Sequence, residues 1–258
     1  MPGLLADKVI LVTGSTTGIG RAIARLGVKE GAQVMIHGRN EERARALQEE
    51  LGDACAYVLG DVSDPDVCEL VVSETVDRFG AIHGIVNNAA FTWRATIDET
   101  DAETFDRMIA VDLRAPILII RAAMQHFRKQ GFGTVVNIGS VNAVCGQPNL
   151  LPYSAAKGGL ATATRNMANA LAREHIRVNQ LNVGWVTSDN EIALQISEGK
   201  PEGWEKNVPP TFAPSGRLLI PEEVAEHVIF WVSDRSAPAS GCVYELEQYS
   251  YIGRSREM

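Results

Sequence analysis

The stretch V-I-L-V-T-G-S-T-T-G-I-G, Val9 to Gly20, decides the fold. Its first four residues are apolar without alternation, which is the pattern of a strand covered on both faces, as in a parallel sheet. A glycine-rich turn follows at Thr13 to Gly20, and a helical pattern begins at Arg21. Glycines at that junction let the backbone turn sharply and approach a pyrophosphate, while the free N–H groups and dipole of the next helix favour an anion. The spacing of Gly14, Gly18 and Gly20 is G-x-x-x-G-x-G, not the commoner G-x-G-x-x-G, so a purely structural turn stands as the rival reading.

The same rhythm continues along the chain. Short β-branched runs at Val34 to Ile36, Ala56 to Leu59, Ile85 to Asn87, Thr134 to Ile138 and Arg177 to Leu181 alternate with longer helical patterns. This predicts an α/β fold: a Rossmann-type doubly wound parallel sheet in three layers, α/β/α. At 258 residues, with no repeat or linker, one catalytic domain spanning 1–258 is expected. Ser188 to Pro214 is broken by glycines and prolines around a short helical pattern at Ile192 to Ile196, and reads as a substrate lid or loop within that domain.

A hydrophobic fraction of 45% and a charged fraction of 22% fit an ordinary globular chain, and the net charge of −8 with scattered basic residues argues against nucleic acid. No apolar run approaches a membrane span, so no membrane partner is expected. The four cysteines form no C-x-x-C pair and the five histidines no ligand cluster, which predicts a reduced, metal-free cytoplasmic protein.

The second strand ends at His37, Gly38 and Arg39, where an acidic side chain would bind the ribose hydroxyls of NAD. Arg39 stands there instead, and its guanidinium suits a 2′-phosphate, so NADP is expected with NAD as the alternative. A solvated arginine beside Glu41 and Glu42 is the competing reading. Further along, Y-S-A-A-K places Tyr153 and Lys157 on one helical face. A free phenol ionises near about 10, and a neighbouring ammonium lowers that value, so Lys157 is expected to tune Tyr153 for proton transfer. Ser140 follows the strand ending at Ile138 and can bond a reacting oxygen.

Together and in this order, these residues resemble the short single-domain branch of the short-chain dehydrogenase/reductase family over nearly the whole chain. The resemblance implies a catalytic Ser140, Tyr153 and Lys157 that orient the carbonyl, transfer the proton and hold the nicotinamide ribose. It implies cofactor contacts from Gly14, Ser15, Thr17, Gly18, Ile19 and Gly20, from Asp61 and Val62 of the G-D-V segment, and from Asn88, Ala89 and Ala90. Gly184, Val186, Thr187 and Ser188 are expected beside the nicotinamide, together with Tyr153 and Lys157. The activity implied is hydride transfer between NADP(H) or NAD(H) and a secondary alcohol or ketone. A sensor or scaffold that kept the fold without turnover is the alternative, which intact Ser140, Tyr153 and Lys157 disfavour. No G-x-S-x-G occurs, so a hydrolase finds no support.

Three departures stand out. Aspartate occupies the position of the family's catalytic asparagine: Asp112 shares a helical stripe with Phe105, Met108 and Ile109, and is expected to face inward, to keep the asparagine's backbone role of holding a proton-relay water and to interact with Lys157 directly or through that water; a mere isosteric replacement is the rival reading. A valine, Val183, precedes Gly184 where the family has proline. The chain closes with Y-E-L-E-Q-Y-S-Y-I-G-R, Tyr244 to Arg254, whose tyrosines pack at an interface, cap the pocket or form a surface tail. The substrate pocket is expected from Ser140, Asn142, Gln147, Tyr153, Trp93 and Trp185, with Phe91, Thr92, Asn149 and Trp204 nearby. Its amides suit a sugar or polyol, its aromatics a hydrophobic ketone. The segment Ala102 to Phe127 reads as one long helix apolar on more than one face, and with the resemblance predicts a homo-oligomer, tetramer or dimer.

Overall fold

The computed structural model describes residues 2–249. In chain order its main elements are β1 Val9–Val12, α1 Gly18–Lys29, β2 Gln33–Gly38, α2 Glu41–Leu51, β3 Cys55–Leu59, α3 Pro65–Phe79 and β4 Gly84–Asn87. There follow α4 Ala102–Ile109, α5 Ala115–Gln130, β5 Gly133–Ser140, α6 Asn142–Cys145, α7 Leu151–Leu171, β6 Ile176–Val183, α8 Asp189–Ser197, α9 Pro221–Val232 and β7 Val243–Leu246. The strands form one sheet in the order β3-β2-β1-β4-β5-β6-β7, and every pairing is parallel. This is the Rossmann-type doubly wound fold that the strand rhythm predicts.

Strands β1, β4 and β5 are buried along their whole length, which is why their sequences lack the apolar–polar alternation of a half-exposed strand. One core lies between the sheet and α1, α2 and α9, and a second between the sheet and α3, α5 and α7. The connection out of β1 runs towards β3, while β4 lies on the other side of β1. The strand order therefore reverses between β1 and β4, and the crevice outside their carboxyl ends is where such sheets take ligands.

Two expectations change. The segment from Ala102 to Phe127 is not one regular helix: residues Ala110–Arg114 form a π-turn between α4 and α5, in which the Ala115 N–H reaches back five residues to the Ala110 carbonyl. Pro116 explains the slip, because it has no N–H to give the Asp112 carbonyl four residues earlier. Much of the apolar surface of α5 is used inside the protomer, with Ile119, Ile120, Ala123 and Phe127 buried in the second core. Likewise, Tyr244 to Leu246 is no loose tail but the last strand: Tyr244 stacks on His227 at 5.7 Å and lies beside Trp231 at 6.4 Å. Tyr251 and the residues to Arg254 lie outside the described residues.

Segment 188–214 carries α8 and a short 3-10 turn, Trp204–Asn207, and has a small core of its own in which Trp204, Ala213 and Leu218 pack with Trp185 and Val208. Among the described residues no helix is long and apolar enough to cross a membrane.

Candidate active site

The glycine turn is closed by the protein's own backbone. Ser15 is fully buried: its hydroxyl donates to the Val12 carbonyl at 2.7 Å and accepts the His37 N–H at 2.9 Å. Thr13 Oγ1 accepts the N–H groups of Asn88 and Ala89, both at 3.0 Å, and Asn88 Nδ2 donates to the Thr13 and Gly14 carbonyls, both at 2.9 Å. The turns after β1 and β4 are thus clamped together at the reversal point. Gly14, at φ +62°, could carry no side chain, since a Cβ would fall 2.7 Å from Ala89 Cα; one on Gly20 would fall 2.5 Å from the Gly14 carbonyl oxygen. These two glycines are required first by contact between protein segments.

The start of α1 is left open. Thr17 occupies the N-cap position without capping the helix, and its hydroxyl accepts from Asn190 Nδ2 at 3.2 Å. No acidic residue lies in the first turn. Together with Gly18 at φ +52°, this leaves backbone N–H groups for an anion, the arrangement a dinucleotide pyrophosphate fits. Ile19 packs partly against the first core.

His37, missed as a functional residue by sequence reasoning, is the second anchor of this turn. Gly14 N–H donates to its Nδ1 at 3.2 Å and its Nε2 lies 3.1 Å from the Gly60 carbonyl, which fixes a neutral ring with the proton on Nε2. Burial pushes its pKa down to about 4. At the rim, Arg39 is 70% exposed and 3.6 Å from Asp61, which is held more closely by Arg107 at 2.9 Å. Partial burial works against the Asp61 charge, but donation from Ser63 and Arg107 holds its pKa down to about 2. The Val62 side chain belongs to the second core. Ala90 is exposed.

Ser140 ends β5, and Tyr153 and Lys157 stand one turn apart near the start of α7. The Ser140 hydroxyl accepts the Asn142 N–H at 3.1 Å and helps to pull the Tyr153 phenol pKa down. Lys157 is 3% exposed and donates to the Ile138 carbonyl at 3.0 Å. Its ammonium also lies 3.0 Å from Asp112 Oδ1, so aspartate and lysine meet directly, with no water between them. Asp112 is fully buried, and its Oδ2 accepts the Phe91 N–H at 3.0 Å. Burial pushes the Asp112 carboxyl up, against the pull of Lys157 and the Phe91 N–H; burial lowers and Asp112 raises Lys157, with a net rise.

The expected lowering of the Tyr153 pKa does not emerge. Lys157 and Ser140 do pull it down, but burial is the largest influence and Asp112 adds to it, so the phenol titrates above its ordinary value. Beneath the site, a buried chain of side chains runs from Asn87 to Asn137, from Asn137 to Thr164 and on to Gln180, tying β4, β5, α7 and β6 into one frame.

The turn after β6 replaces the missing proline by another device. Trp185 N–H donates to Glu247 Oε2 at 3.1 Å, and that carboxylate fills the space that a Cβ on Gly184 would need. Val186 is buried, bridging to Leu219, while the Thr187 hydroxyl donates to the Leu219 carbonyl and the Ser188 hydroxyl caps α8. Trp185 is stacked on Trp204 at 5.2 Å, and its Nε1 donates to Glu191 at 2.8 Å. Trp204 is therefore packing rather than pocket wall, at 7% exposure. Trp93 is exposed and stacked on Phe91, Gln147 and Thr92 are exposed, and Asn142 Oδ1 accepts the Gln147 N–H of its own loop. Glu191, on α8, was not singled out from sequence; it accepts from Trp185 and Gln195, and its charge adds to the upward push on Tyr153. Among the described residues no group of three or more His, Cys, Asp or Glu is placed to hold a metal ion.

The family described as short chain dehydrogenase matches residues 8–198. The chain is 35% identical to an L-fucose dehydrogenase of Mus musculus over 232 residues, covering 89% of this chain and 83% of that protein. It is 32% identical to 2-(S)-hydroxypropyl-CoM dehydrogenase 3 of Xanthobacter autotrophicus, covering 96% of this chain and 98% of the relative. A 3-oxoacyl-(acyl-carrier-protein) reductase of Chlamydia trachomatis is 31% identical, with the same two coverages. The all-parallel sheet agrees with these likenesses, and the chain belongs to the short-chain dehydrogenase/reductase family of oxidoreductases.

Proposed function

We propose that this protein transfers hydride between NADP(H), or less well NAD(H), and a secondary alcohol or ketone, with Tyr153 exchanging the proton of the reacting oxygen. The observation that carries this reading is the meeting of Ser140, Tyr153 and Lys157 at the carboxyl end of β5, beside the open start of α1. When bound, the nicotinamide supplies or accepts the hydride. Ser140 holds the oxygen, Tyr153 gives or takes its proton, and Lys157, which donates to Ile138 and is ion-paired with Asp112, keeps a donor for a ribose hydroxyl. Gly14, Ser15, Thr17, Gly18, Ile19 and Gly20 form the pyrophosphate cradle. Arg39, largely exposed at the rim, is free to swing from Asp61 to a 2′-phosphate.

For the substrate, a polyhydroxylated molecule is favoured over a hydrophobic ketone. Trp185 and Gln195 both donate to Glu191 Oε1, so neither occupies Oε2, and a fixed carboxylate of this kind accepts from hydroxyls. Segment 188–214 acts as the lid over that pocket. The four cysteines are free thiols, which suits the cytoplasm. Assembly into a tetramer or dimer would use α4 and α5, where Phe105 and Ile117 stay exposed; a monomer mass on a sizing column would contradict this.

The test is a titration with NADPH and NADH, read by nicotinamide fluorescence, followed by turnover on a panel of ketones and sugars. NADPH should bind tighter, the preference should vanish in Arg39→Ala, and Tyr153→Phe should bind nucleotide yet lose about 10²- to 10⁴-fold in turnover. Failure to bind either nucleotide would defeat the reading.

A further inference from the structure

Asp112 is where this chain departs from the asparagine of its family, and it is also a fully buried acid. Its position is enforced from three sides. The π-turn between α4 and α5 carries it, the Phe91 N–H holds Oδ2 at 3.0 Å, and the Lys157 ammonium lies 3.0 Å from Oδ1. An acid and an ammonium in contact present far less field to a third group than the ammonium would alone. That third group is Tyr153, whose ring centre lies 5.5 Å from Lys157 Nζ.

The charged groups acting on Tyr153 are Lys157 from its own helix, Asp112 from the π-turn and Glu191 from α8, with the neutral Ser140 hydroxyl on β5. Glu191 is itself paired with the Arg94 guanidinium at 3.7 Å, so Asp112 is the carboxylate that bears directly on the ammonium. Lys157 is faced by Asp112, by Tyr153 and by the Ile138 carbonyl, and Asp112 by Lys157 and the Phe91 N–H. An asparagine at 112 would keep an acceptor for Phe91 but leave the ammonium uncompensated.

The geometry points to Asp112 as the counter-ion of Lys157, a positioning residue that cancels the ammonium's charge at Tyr153, so that the phenol stays protonated through neutral pH and serves foremost as the proton donor of carbonyl reduction. In that direction the carbonyl carbon gains the hydride and the carbonyl oxygen takes the Tyr153 proton. The phenolate left behind is reprotonated from solvent. Alcohol oxidation needs the phenolate at the outset and therefore rises only at alkaline pH. This consequence rests on the proposed dehydrogenase chemistry, whereas the charge relation itself is measured without turnover.

The experiment is an NMR titration of the full chain labelled with carbon-13 at the tyrosine ring Cζ, with Tyr153 assigned through Tyr153→Phe. Asp112→Asn is expected to lower the Tyr153 midpoint by about one pH unit relative to wild type. An unchanged or higher midpoint overturns the inference, because a merely structural role of Asp112 would not lower it. Labelling the aspartate carboxyl carbons of the wild-type protein gives a second readout that does not depend on the variant folding. Asp112 should resonate as an ionised carboxylate throughout the neutral range, and a protonated Asp112 there overturns the inference. On any ketone that is turned over, oxidation of the matching alcohol should begin at lower pH in Asp112→Asn. Absence of turnover on the whole panel, with the midpoint shift intact, would remove the enzyme reading and leave the counter-ion relation standing.

Discussion

Two regions border the same cleft and are held by opposite means. Around the glycine turn, Thr13, Ser15, His37 and Asn88 are tied by short, mostly neutral bonds to backbone groups, with Thr13 and Ser15 fully shielded from water. Segment 188–214 packs through its small aromatic core and is otherwise held by charges. Arg21 pairs with Asp189 at 2.5 Å, Arg94 with Glu198 at 2.6 Å, and Lys200 lies 4.6 and 4.2 Å from the ring centres of Trp185 and Trp204. Buried neutral bonds are costly to break and set a single geometry, whereas solvent-facing ion pairs contribute little each and weaken with salt. The glycine turn is therefore held more firmly than segment 188–214.

The sharpest way to break this contrast is at the fixed side. In Gly20→Val a side chain would be forced against the Gly14 carbonyl and Ser15 Cα, at 2.5 and 2.7 Å from the new Cβ. A loss of more than about 3 kcal/mol in unfolding free energy is expected, along with nucleotide binding. Denaturant unfolding checks the first and fluorescence titration the second.

Next comes acid. His37 has a folded pKa lowered from 6.5 to about 4, so the unfolded chain takes up the proton first. The stabilisation is complete above pH 6.5 and is lost as pH falls towards 4, up to about 3 kcal/mol. His37→Asn should flatten the melting temperature over that window; a slope equal to wild type would show that other groups carry it.

The smallest expected effect lies in segment 188–214. Arg94→Ala, which removes the pair to Glu198 and the longer one of 3.7 Å to Glu191, should change global stability by less than about 1 kcal/mol. It should nevertheless speed hydrogen exchange in residues 188–214 while the glycine turn stays protected. High salt on the wild-type protein should mimic it. Equal acceleration in both regions would erase the distinction.

Much of this was legible without coordinates. The apolar runs from Val9 onward announce their strands because a strand buried on both faces needs no alternation. The Tyr153 and Lys157 pair is legible because helical spacing is local. The seventh strand was not: Val243 to Leu246 ends in a run of polar and aromatic residues, and its pairing with β6 depends on a partner more than 60 residues earlier. Nor was the π-turn, whose cause, Pro116, is visible only once the helix on both sides is known to continue.

The sequence by itself determined the parallel α/β sheet, the place of the glycine turn and the identity of the residues able to exchange a proton, since each follows from periodicity or from side-chain chemistry. Only the tertiary structure decided how those groups act on one another. That Asp112 touches Lys157 directly, that His37 is neutral, and that burial outweighs the ammonium at Tyr153 are matters of distance and solvent exclusion. Electrostatic interaction depends steeply on both, and neither is written in the order of residues along the chain.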